Sequence, residues 1–395
     1  MDNISLENIR QFRLHTHHLD TWYEREYLLP IVSACGLQNS SPGAWETAVH
    51  NRISGLSPID LQQILEEEKS LLQAWSFRGA PVIFPTAESA VFLSALVPQG
   101  EEPWVYTRGI QLALDSLEMP FLSLLSLLQQ VLPRLNDTTI QSKTALDQTL
   151  AGWMLPLLPE CKRECWNAPS PYGNPEKQTV GGAVVSFLLR PASFLGLVVF
   201  AKRTGISPTF TGYQSWVGTA LQPQGNGAIK ALAKKYLHCY GPATVGGFAT
   251  WLGCSPTQAK RMWQSILEEI QPVQVSGKER YILKDDATLL LSPPQAKREL
   301  HLLGGHDPYL GLEDRDTILI DKALQRKIWQ TVSNPGAILQ KGKIIGMWKS
   351  KKKPKGLELS FTLWEGAASA KQLETLGEQY AAASQNTLLK TTFLS

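Results

Sequence analysis

The chain has 395 residues, of which 43% are hydrophobic and 18% are charged, so it is long enough to bury several cores and to form two to four compact units. Its first residues have neither the basic start nor the apolar stretch of a secretion signal, and no later run approaches about 18 uninterrupted apolar residues, which excludes a membrane-spanning helix and points to the cytoplasm. The net charge of +3 excludes a histone-like polycation, so any binding of a polyanion must depend on where the charges lie.

The cysteines and a group of histidines near the N-terminus are the candidate metal ligands of the sequence. An odd number of cysteines without a dense framework suits a reducing compartment in which thiols stay reduced. Cys161 and Cys165 lie one helical turn apart, but no second Cys/His pair accompanies them. His15, His17 and His18 fan out over different faces of a helix, with no acidic partner motif after them. We therefore predict no disulfide, no metal ion and no cofactor.

The first hundred residues predict helices followed by a short β segment. Apolar residues at helical spacing and the absence of breakers predict a helix over Leu6–Leu29, ended by Pro30. Ser57-Pro58 opens a helix through Leu72, and Pro81–Phe84 is extended and apolar. This order is compatible with a winged helix.

A second unit follows. Leu122–Leu132 and Gln141–Trp153 predict helices joined by a turn with capping residues. Pro169–Lys177 is rich in Pro, Gly and Asn and predicts a loop. The β-prone apolar runs Ala183–Leu189 and Leu195–Phe200 predict strands.

The third unit has the clearest pattern. Helices are predicted over Ala228–Tyr240, Thr244–Leu252 and from Ser255 to about Ile270. The alternating runs Val273–Val275 and Arg280–Leu283 surround a hairpin signal. Three helices and a hairpin in this order are typical of a winged helix, a variant of the helix-turn-helix theme.

The third helix of that unit is the one that a winged helix offers to a DNA groove. Its polar side chains can reach phosphates or base edges, and the candidates are Gln258, Lys260, Arg261 and Gln264. In the hairpin, Lys278 and Arg280 are further candidates for contact with DNA. The alternative is a helix-turn-helix that serves only as a scaffold.

The C-terminal quarter is richer in β-prone segments. Ala337–Leu339 and Lys343–Trp348 predict strands that lead into a basic run, and Leu357–Trp364 predicts another strand. The lysines of the run are Lys349, Lys351, Lys352, Lys353 and Lys355. A hairpin tipped by lysines suits contact with phosphates, and the alternative is a solubilising loop.

Several short stretches, in order and spacing from about Cys35 to Trp364, resemble the winged-helix DNA glycosylase family. Members of this family unhook interstrand crosslinks and excise N7-alkylated purines. The stretches are Gly36 to Trp45 (GLQNSSPGAW), Leu71 to Gly79 (LLQAWSFRG), Ala233 to Leu237 (AKKYL), Tyr240 to Thr244 (YGPAT), Phe248 to Gly253 (FATWLG), Asp307 to Gly311 (DPYLG) with Asp314-Arg315, and Gly346 to Trp348 (GMW).

The resemblance implies an α+β fold of tandem winged-helix units that form a concave scaffold, with a C-terminal β-containing part. The expected segments are an N-terminal helix and first winged helix over 1–105, a second winged-helix-like unit over 106–225, a third winged helix over 226–295 and a β-rich subdomain over 296–395. The expected partner is double-stranded, damaged DNA, bound by a monomer in the cytoplasm at the nucleoid, without a membrane.

The catalytic element of the family has a Gln, an apolar residue and a second Gln or an Asp. The aligned residues here are Gln38, Asn39 and Ser40, so that only the first position is kept. The resemblance implies that Gln38 binds the attacking water and that Ser40 assists, although a hydroxyl has a weaker dipole than an amide and is no general base by itself.

The resemblance also implies DNA contacts by Asn39, Trp45 and Arg78. Relatives commonly continue after the Arg-Gly pair with Thr, an apolar residue and His, whereas this chain has Ala80-Pro81-Val82. Two functions therefore remain open at this stage: a monofunctional DNA glycosylase, or a lesion sensor or transcription regulator that binds DNA without cleaving a bond. The absence of coiled-coil heptads favours the enzyme, because a regulator ordinarily has a dimerisation helix or a ligand domain.

Overall fold

A computed structural model describes residues 4–105, 110–170, 176, 178–205, 207–366 and 368–394. Helices and strands are mixed along these residues, which agrees with the predicted α+β class. Among them the α-helices are α1 (Leu6–Thr16), α2 (Leu28–Cys35), α3 (Ala44–His50), α4 (Pro58–Gln63), α5 (Ser89–Phe92), α6 (Ile110–Leu117), α7 (Phe121–Val131), α8 (Lys143–Met154), α9 (Glu160–Asn167), α10 (Val180–Phe194), α11 (Tyr213–Val217), α12 (Asn226–Tyr240), α13 (Val245–Leu252), α14 (Pro256–Gln264), α15 (Ala287–Leu291), α16 (Lys322–Ile328) and α17 (Ala370–Ala383).

The strands of the described residues are β1 (Leu37–Gln38), β2 (Leu71–Trp75), β3 (Pro81–Pro85), β4 (Ile140–Gln141), β5 (Val199–Thr204), β6 (Ser207–Thr211), β7 (Ile270–Val275), β8 (Lys278–Leu283), β9 (Leu300–Leu303), β10 (Gly336–Gln340), β11 (Lys343–Lys353), β12 (Gly356–Leu363) and β13 (Leu388–Leu394). No helix in the described ranges is both long enough and apolar enough to cross a membrane.

The chain folds into two compact units, each built from separate stretches of sequence. Unit 1 comprises Met1–Glu67, Ala233–Trp251 and Met262–Ser395. Unit 2 comprises Glu68–Leu232 and Leu252–Arg261.

Unit 2 is a helical layer with small antiparallel sheets. Its core is formed by α7, α8 and α10, whose buried leucines and valines pack around Trp75, Trp166 and Phe210. The indole of Trp166 lies so close to α10 that a Cβ at Gly181 would come within 2.3 Å of it, which explains the glycine at that position. The predicted helices at Leu122–Leu132 and Gln141–Trp153 are confirmed as α7 and α8.

Helix α10 corrects a predicted strand. The run Ala183–Leu189 is helical, because α10 extends over Val180–Phe194 and buries nearly all of its residues. The hydroxyl of Thr179 accepts from the amide of Gly182 and caps the helix, and Pro191 does not end it. Only Ser186 and Arg190, one helical turn apart, mark a polar face in this mostly buried helix, and its β-branched valines then favour the wrong prediction. The second predicted strand begins later, at Val199, and the predicted loop over 169–177 lies partly outside the described residues.

Unit 1 contains a five-stranded sheet in the order β13-β12-β11-β10-β9. Its pairs are antiparallel except for β12 with β13, which run parallel. Helix α17, which begins with a capping box of Ser369 and Gln372, belongs to the same apolar core as the sheet. The three strands predicted in this region are confirmed.

The predicted N-terminal helix over Leu6–Leu29 is wrong in its second half. Helix α1 ends at Thr16, because His18 adopts a positive φ of 56°, which is incompatible with a continuing right-handed helix. A new helix, α2, then begins at Leu28 and contains Pro30 in its first turn. Proline is tolerated there because the first amides of a helix have no partner within the helix.

The predicted hairpin after the third helix is confirmed as β7 and β8. Their turn is the dipeptide Ser276-Gly277, and both residues have positive φ, as a type I′ turn requires. The predicted order of three helices and a hairpin is thus present as α12, α13, α14 and β7–β8, although α14 ends at Gln264 and not near Ile270.

Two buried arginines join distant parts of unit 1. The guanidinium of Arg13 donates to the backbone carbonyls of Tyr240 and Gly241 at 2.7 and 3.1 Å and to both carboxylate oxygens of Asp314. That of Arg52 donates to Asp307 through two bonds of 2.8 and 2.9 Å, and to the carbonyl oxygens of His17 and Ala48. The helix ends and loops that meet in unit 1 are therefore fixed by charge-assisted hydrogen bonds in the interior.

Replacing Arg52 by Met is expected to lower the free energy of unfolding by about 3–5 kcal/mol, because it leaves the fully buried carboxylate of Asp307 without its counter-charge. Urea unfolding followed by tryptophan fluorescence measures this loss. Lys322→Met is the matched control, since Lys322 and its partner Asp316 are both exposed, and it should change the same quantity by less than about 1 kcal/mol. Equal losses in the two variants would contradict a structural role for the buried pair.

Candidate active site

Gln38 lies at the end of a short strand that follows a helix end. Gly36, with a φ of +69°, ends α2 and turns the chain into β1. The side chain of Leu37 points into the core with 1% exposure, whereas Gln38 is half-buried. Because side chains alternate along a strand, the burial of Leu37 directs Gln38 away from the core.

The side-chain nitrogen of Gln38 lies 3.3 Å from Nδ1 of His306, which is also half-buried. His306 was not predicted as a site residue, because the only signal in the sequence was its place directly before the DPYLG stretch. The next residue, Asp307, is held by Arg52, and Asn51 beside Arg52 donates to the carbonyl of Leu302 in β9 at 2.9 Å. The segment that carries His306 is thus fixed on both sides of the histidine.

The residues that follow Gln38 form a tight turn into α3. Asn39 is 5% exposed, and its side-chain oxygen accepts from the amide of Gly43 at 2.9 Å. The predicted contact of Asn39 with DNA is therefore corrected: its side chain shapes the turn. Strand β1 ends at Gln38, so Ser40 lies in the following bend and is half-buried.

Trp45 is a core residue. It has no exposed surface, although it lies in the first turn of α3, close in sequence to Gln38. The predicted contact of Trp45 with DNA is wrong for this structure, and its place in the GLQNSSPGAW stretch reflects packing.

Arg78 lies in the turn between β2 and β3 with a φ of +57°. Its guanidinium is placed over the ring of Phe77 at 4.9 Å from the ring centre. The backbone and side chain of Arg78 are also in close contact with Gly253, where an added Cβ would lie 3.0 Å from the Arg78 Cα. The turn is therefore closely packed within unit 2.

Helix α14 presents only some of its predicted DNA-binding side chains. Lys260 and Gln264 are exposed. Gln258 is fully buried and donates to the carbonyl of Leu96 at 3.0 Å. Arg261, whose side chain is 24% exposed, forms a two-pronged ion pair with Glu102, with both bonds at 2.7 Å, so that it has a structural role besides its predicted contact with DNA. Burial by itself raises the pKa of Glu102. The hydrogen bonds and charge of Arg261, together with the Gln99 amide, outweigh burial, so the pKa is lowered and the carboxylate stays ionised.

The basic residues of the two hairpins differ in exposure. Lys278 is exposed at the β7–β8 turn, whereas Arg280 has 19% of its side chain exposed and lies 3.8 Å from a carboxylate oxygen of Asp314. Lys351 and Lys352 are exposed on opposite faces of β11, and Lys353 is paired with Glu358 at 3.5 Å. The lysines therefore lie along a paired strand that extends beyond Trp348, and the turn itself is Pro354-Lys355.

The sequence matches the family described as DNA glycosylase AlkZ-like over residues 31–383. The chain belongs to this family of DNA glycosylases, which are hydrolases of N-glycosyl bonds and act on DNA. It is 21% identical over 328 residues to the interstrand DNA cross-link repair glycosylase of Streptomyces sahachiroi, and the match covers 80% of each chain. Its fold is similar to that of the solved Streptomyces sahachiroi DNA glycosylase AlkZ, with a TM-score of 0.77 and 19% identity over 100% of both chains. The resemblance seen in the sequence is thereby confirmed.

Arg261→Met is expected to lower the free energy of unfolding by about 1–3 kcal/mol, because the largely buried carboxylate of Glu102 loses its charged donor. The neighbouring Lys260→Met should stay within about 0.5 kcal/mol, since Lys260 is exposed. Urea unfolding compares the two variants. A loss of DNA affinity in Arg261→Met without a loss of stability would contradict the structural role of the ion pair and support a contact of Arg261 with DNA.

Proposed function

We propose that this chain is a monofunctional DNA glycosylase that hydrolyses the N-glycosidic bond of alkylated or crosslinked purines in double-stranded DNA. It acts as a monomer, in the compartment that holds the chromosome. The observation that carries this proposal is the pairing of Gln38 with His306, because it places an oriented amide at the one position of the family's catalytic element that this sequence keeps.

Hydrolytic release of an N7-alkylated purine requires few catalytic groups. A purine alkylated at N7 already carries a positive charge and leaves as a neutral base, so that no acid is required to protonate it. The enzyme must hold a water near the sugar carbon and stabilise the oxocarbenium-like charge that develops there. Both tasks suit a side-chain oxygen in a fixed position.

The side-chain nitrogen and oxygen of Gln38 have separate roles. When its nitrogen donates to Nδ1 of His306, in the tautomer with the proton on Nε2, the side-chain oxygen of Gln38, which has two lone pairs, can accept a hydrogen bond from the water. Arg52 and Asp307 restrain the backbone next to His306. His306 is thus a positioning residue, and Gln38 is the residue that binds the nucleophile.

Ser40 is the weaker part of the site. Its hydroxyl lies in the bend after Gln38 and assists the same water, but it carries no charge to oppose the oxocarbenium ion. A relative with Gln or Asp at this position supplies a stronger dipole or a full charge. We infer that this chain is slower than such relatives by about two or three powers of ten, the effect of losing one oriented stabilising group.

DNA binding is a separate property of other surfaces. We propose that α12, α13, α14 and the β7–β8 hairpin act as a winged helix in which Lys260, Gln264 and Lys278 contact DNA, with Arg280 at the edge. The lysines of β11 and Arg78 contribute further contacts with the phosphates. A non-catalytic DNA-binding protein is the competing function, which the departures at Asn39 and Ser40 favour.

Gln38→Ala should lower the rate of base release by about a hundredfold or more while leaving the affinity for DNA nearly unchanged, because it removes the group that holds the water and no phosphate contact. Base release is measured on duplex DNA with an N7-alkylguanine, as alkali-sensitive strand breaks, and affinity by fluorescence anisotropy. The exposed Gln214 of α11 provides the control variant Gln214→Ala, which should retain full activity. Strand breaks that never exceed spontaneous depurination for the unaltered protein, with binding intact, would show that it is a binding module and no enzyme.

Ser40→Asp should raise the rate of base release by about tenfold to a thousandfold, because it restores a carboxylate at the position where relatives have Gln or Asp. Ser41→Asp adds the same charge one residue later and should give no gain. The same strand-break assay compares both variants. An unchanged rate in Ser40→Asp would mean that this position does not face the reacting sugar.

Replacing Lys351, Lys352 and Lys353 together by Gln should weaken binding to all DNA sequences alike. It should also reduce the slope of log Kd against log salt by the amount expected for the loss of up to about three phosphate contacts. The control replaces three other exposed lysines, Lys322, Lys371 and Lys390, and removes the same charge. Equal slopes in the two triple variants would exclude the β11 lysines from the interface.

A further inference from the structure

His17, Cys35 and Cys239 bring three potential metal ligands together in the interior of unit 1. His17 is the C-cap of α1, Cys35 is the last residue of α2, and Cys239 lies in the last turn of α12. One donor atom from each side chain, an imidazole nitrogen and two thiol sulfurs, lies within 4.8 Å of the other two. The exposed fractions are 2%, 3% and 0%, so the cluster is closed to bulk water.

The imidazole of His17 is the polar group that the fold leaves unsatisfied here. Among the residues that the structure describes, neither of its ring nitrogens has a hydrogen-bond partner. The rings of Tyr240 and Tyr309 pack edge-on against it, with centres 5.0 and 5.5 Å away. Burying an imidazole without a partner is unfavourable, and such a group in a native protein indicates a ligand or an ion.

Cys239 lies beside backbone carbonyl groups near the ends of two neighbouring helices. Its sulfur lies 3.9 Å from the carbonyl oxygen of Thr16, the last residue of α1. The Cys239 sulfur also lies 3.4 Å from the carbonyl oxygen of Ala34. Donor atoms from the ends of three helices thus converge in the interior beside an imidazole whose ring nitrogens lack a hydrogen-bond partner in the described part of the chain, and this arrangement suits a metal ion.

We propose that His17, Cys35 and Cys239 bind one Zn²⁺ ion. Two thiolates and one imidazole are ligands that zinc prefers, and three protein ligands with one further position is a common zinc arrangement. Binding releases the thiol protons, and the site with two thiolates and a neutral imidazole then carries no net charge. Cu⁺ in the same site would leave a net negative charge in the interior, which is unfavourable.

Only small movements are needed to form this site. Zinc–sulfur bonds of about 2.3 Å in a tetrahedral site require the two sulfurs to approach to about 3.8 Å. The fourth ligand can be the hydroxyl oxygen of Tyr240, which lies 4.0 Å from the Cys35 sulfur and keeps its lone pairs when its proton is donated to the carbonyl oxygen of Pro308 at 2.8 Å. The ion would join the ends of α1 and α2 to α12, directly before the Gly36-Leu37-Gln38 segment. Its role is to fix the fold at this point, and it is independent of whether the chain cleaves DNA.

The proposal is tested on the full-length protein, purified without chelator or polyhistidine tag. Elemental analysis by plasma mass spectrometry should find about one zinc per chain, in the unaltered protein and in the control Cys161→Ser, whose cysteine is exposed in α9. His17→Ala and Cys239→Ser should each lose most of the zinc. Because these variants can fail to fold, a second measurement uses the unaltered protein, in which Co²⁺ replaces zinc and should give an ultraviolet thiolate-to-cobalt charge-transfer band with intense visible bands of tetrahedral cobalt.

Three results would overturn the proposal. The first is unaltered protein that contains no zinc and takes up none on reconstitution. The second is bound Co²⁺ whose spectrum lacks the thiolate band, which would place the metal elsewhere. The third is a Cys35–Cys239 disulfide in protein kept under reducing conditions, found by thiol counting and peptide mass spectrometry. None of these results bears on base release, so the metal site and the proposed glycosylase activity fail separately.

Discussion

The ion pair between Arg52 and Asp307 is the interaction on which the geometry of the candidate site depends. Burial by itself raises the pKa of Asp307. The charge and hydrogen bonds of Arg52, together with the Tyr309 amide, outweigh burial, so the pKa is lowered and the carboxylate stays charged in the interior. Because the pKa is lowered on folding, this stabilisation is complete above the ordinary range of an aspartate and declines as the pH falls through the lowered value. Since Arg52 follows α3 and Asp307 follows His306, the pair ties the turn after Gln38 to the segment that bears its partner.

A second buried pair has a related role near the same end of α1, because Arg13 lies in its last turn. Arg13 binds Asp314 and the carbonyls at the end of α12, where the chain leaves the helix without partners for its last carbonyl groups. A guanidinium has five donors in a fixed plane, and both arginines use several of them on backbone oxygens and one carboxylate at once. The stretches DPYLG and Asp314-Arg315 that carried the family resemblance therefore contain the acceptors of these arginines, and so are explained in part by folding and not by catalysis.

Local patterns in the sequence predicted the amphipathic helices, the β7–β8 hairpin and the C-terminal strands, because each depends on neighbouring residues. They failed for α10, most of whose residues are buried, and for the region after α1, where His18 has a positive φ. The candidate site was predictable only in part. Gln38 could be found from the family pattern, but His306 could not, since its place beside Gln38 results from contacts between residues far apart in sequence. The same reason explains Arg261, whose partner Glu102 has no sequence signal, and Trp45, whose burial is decided by surrounding elements.

The edge of the five-stranded sheet has a consequence for handling the protein. Strand β13 pairs in parallel with β12 and covers backbone groups that would otherwise lie open beside the apolar residues Leu357, Leu359 and Phe361. An uncovered sheet edge is a template for pairing with another molecule. Proteolytic trimming before Leu388 would therefore uncover the edge of β12, and we expect the trimmed chain to self-associate through this strand while every residue near Gln38 is still present.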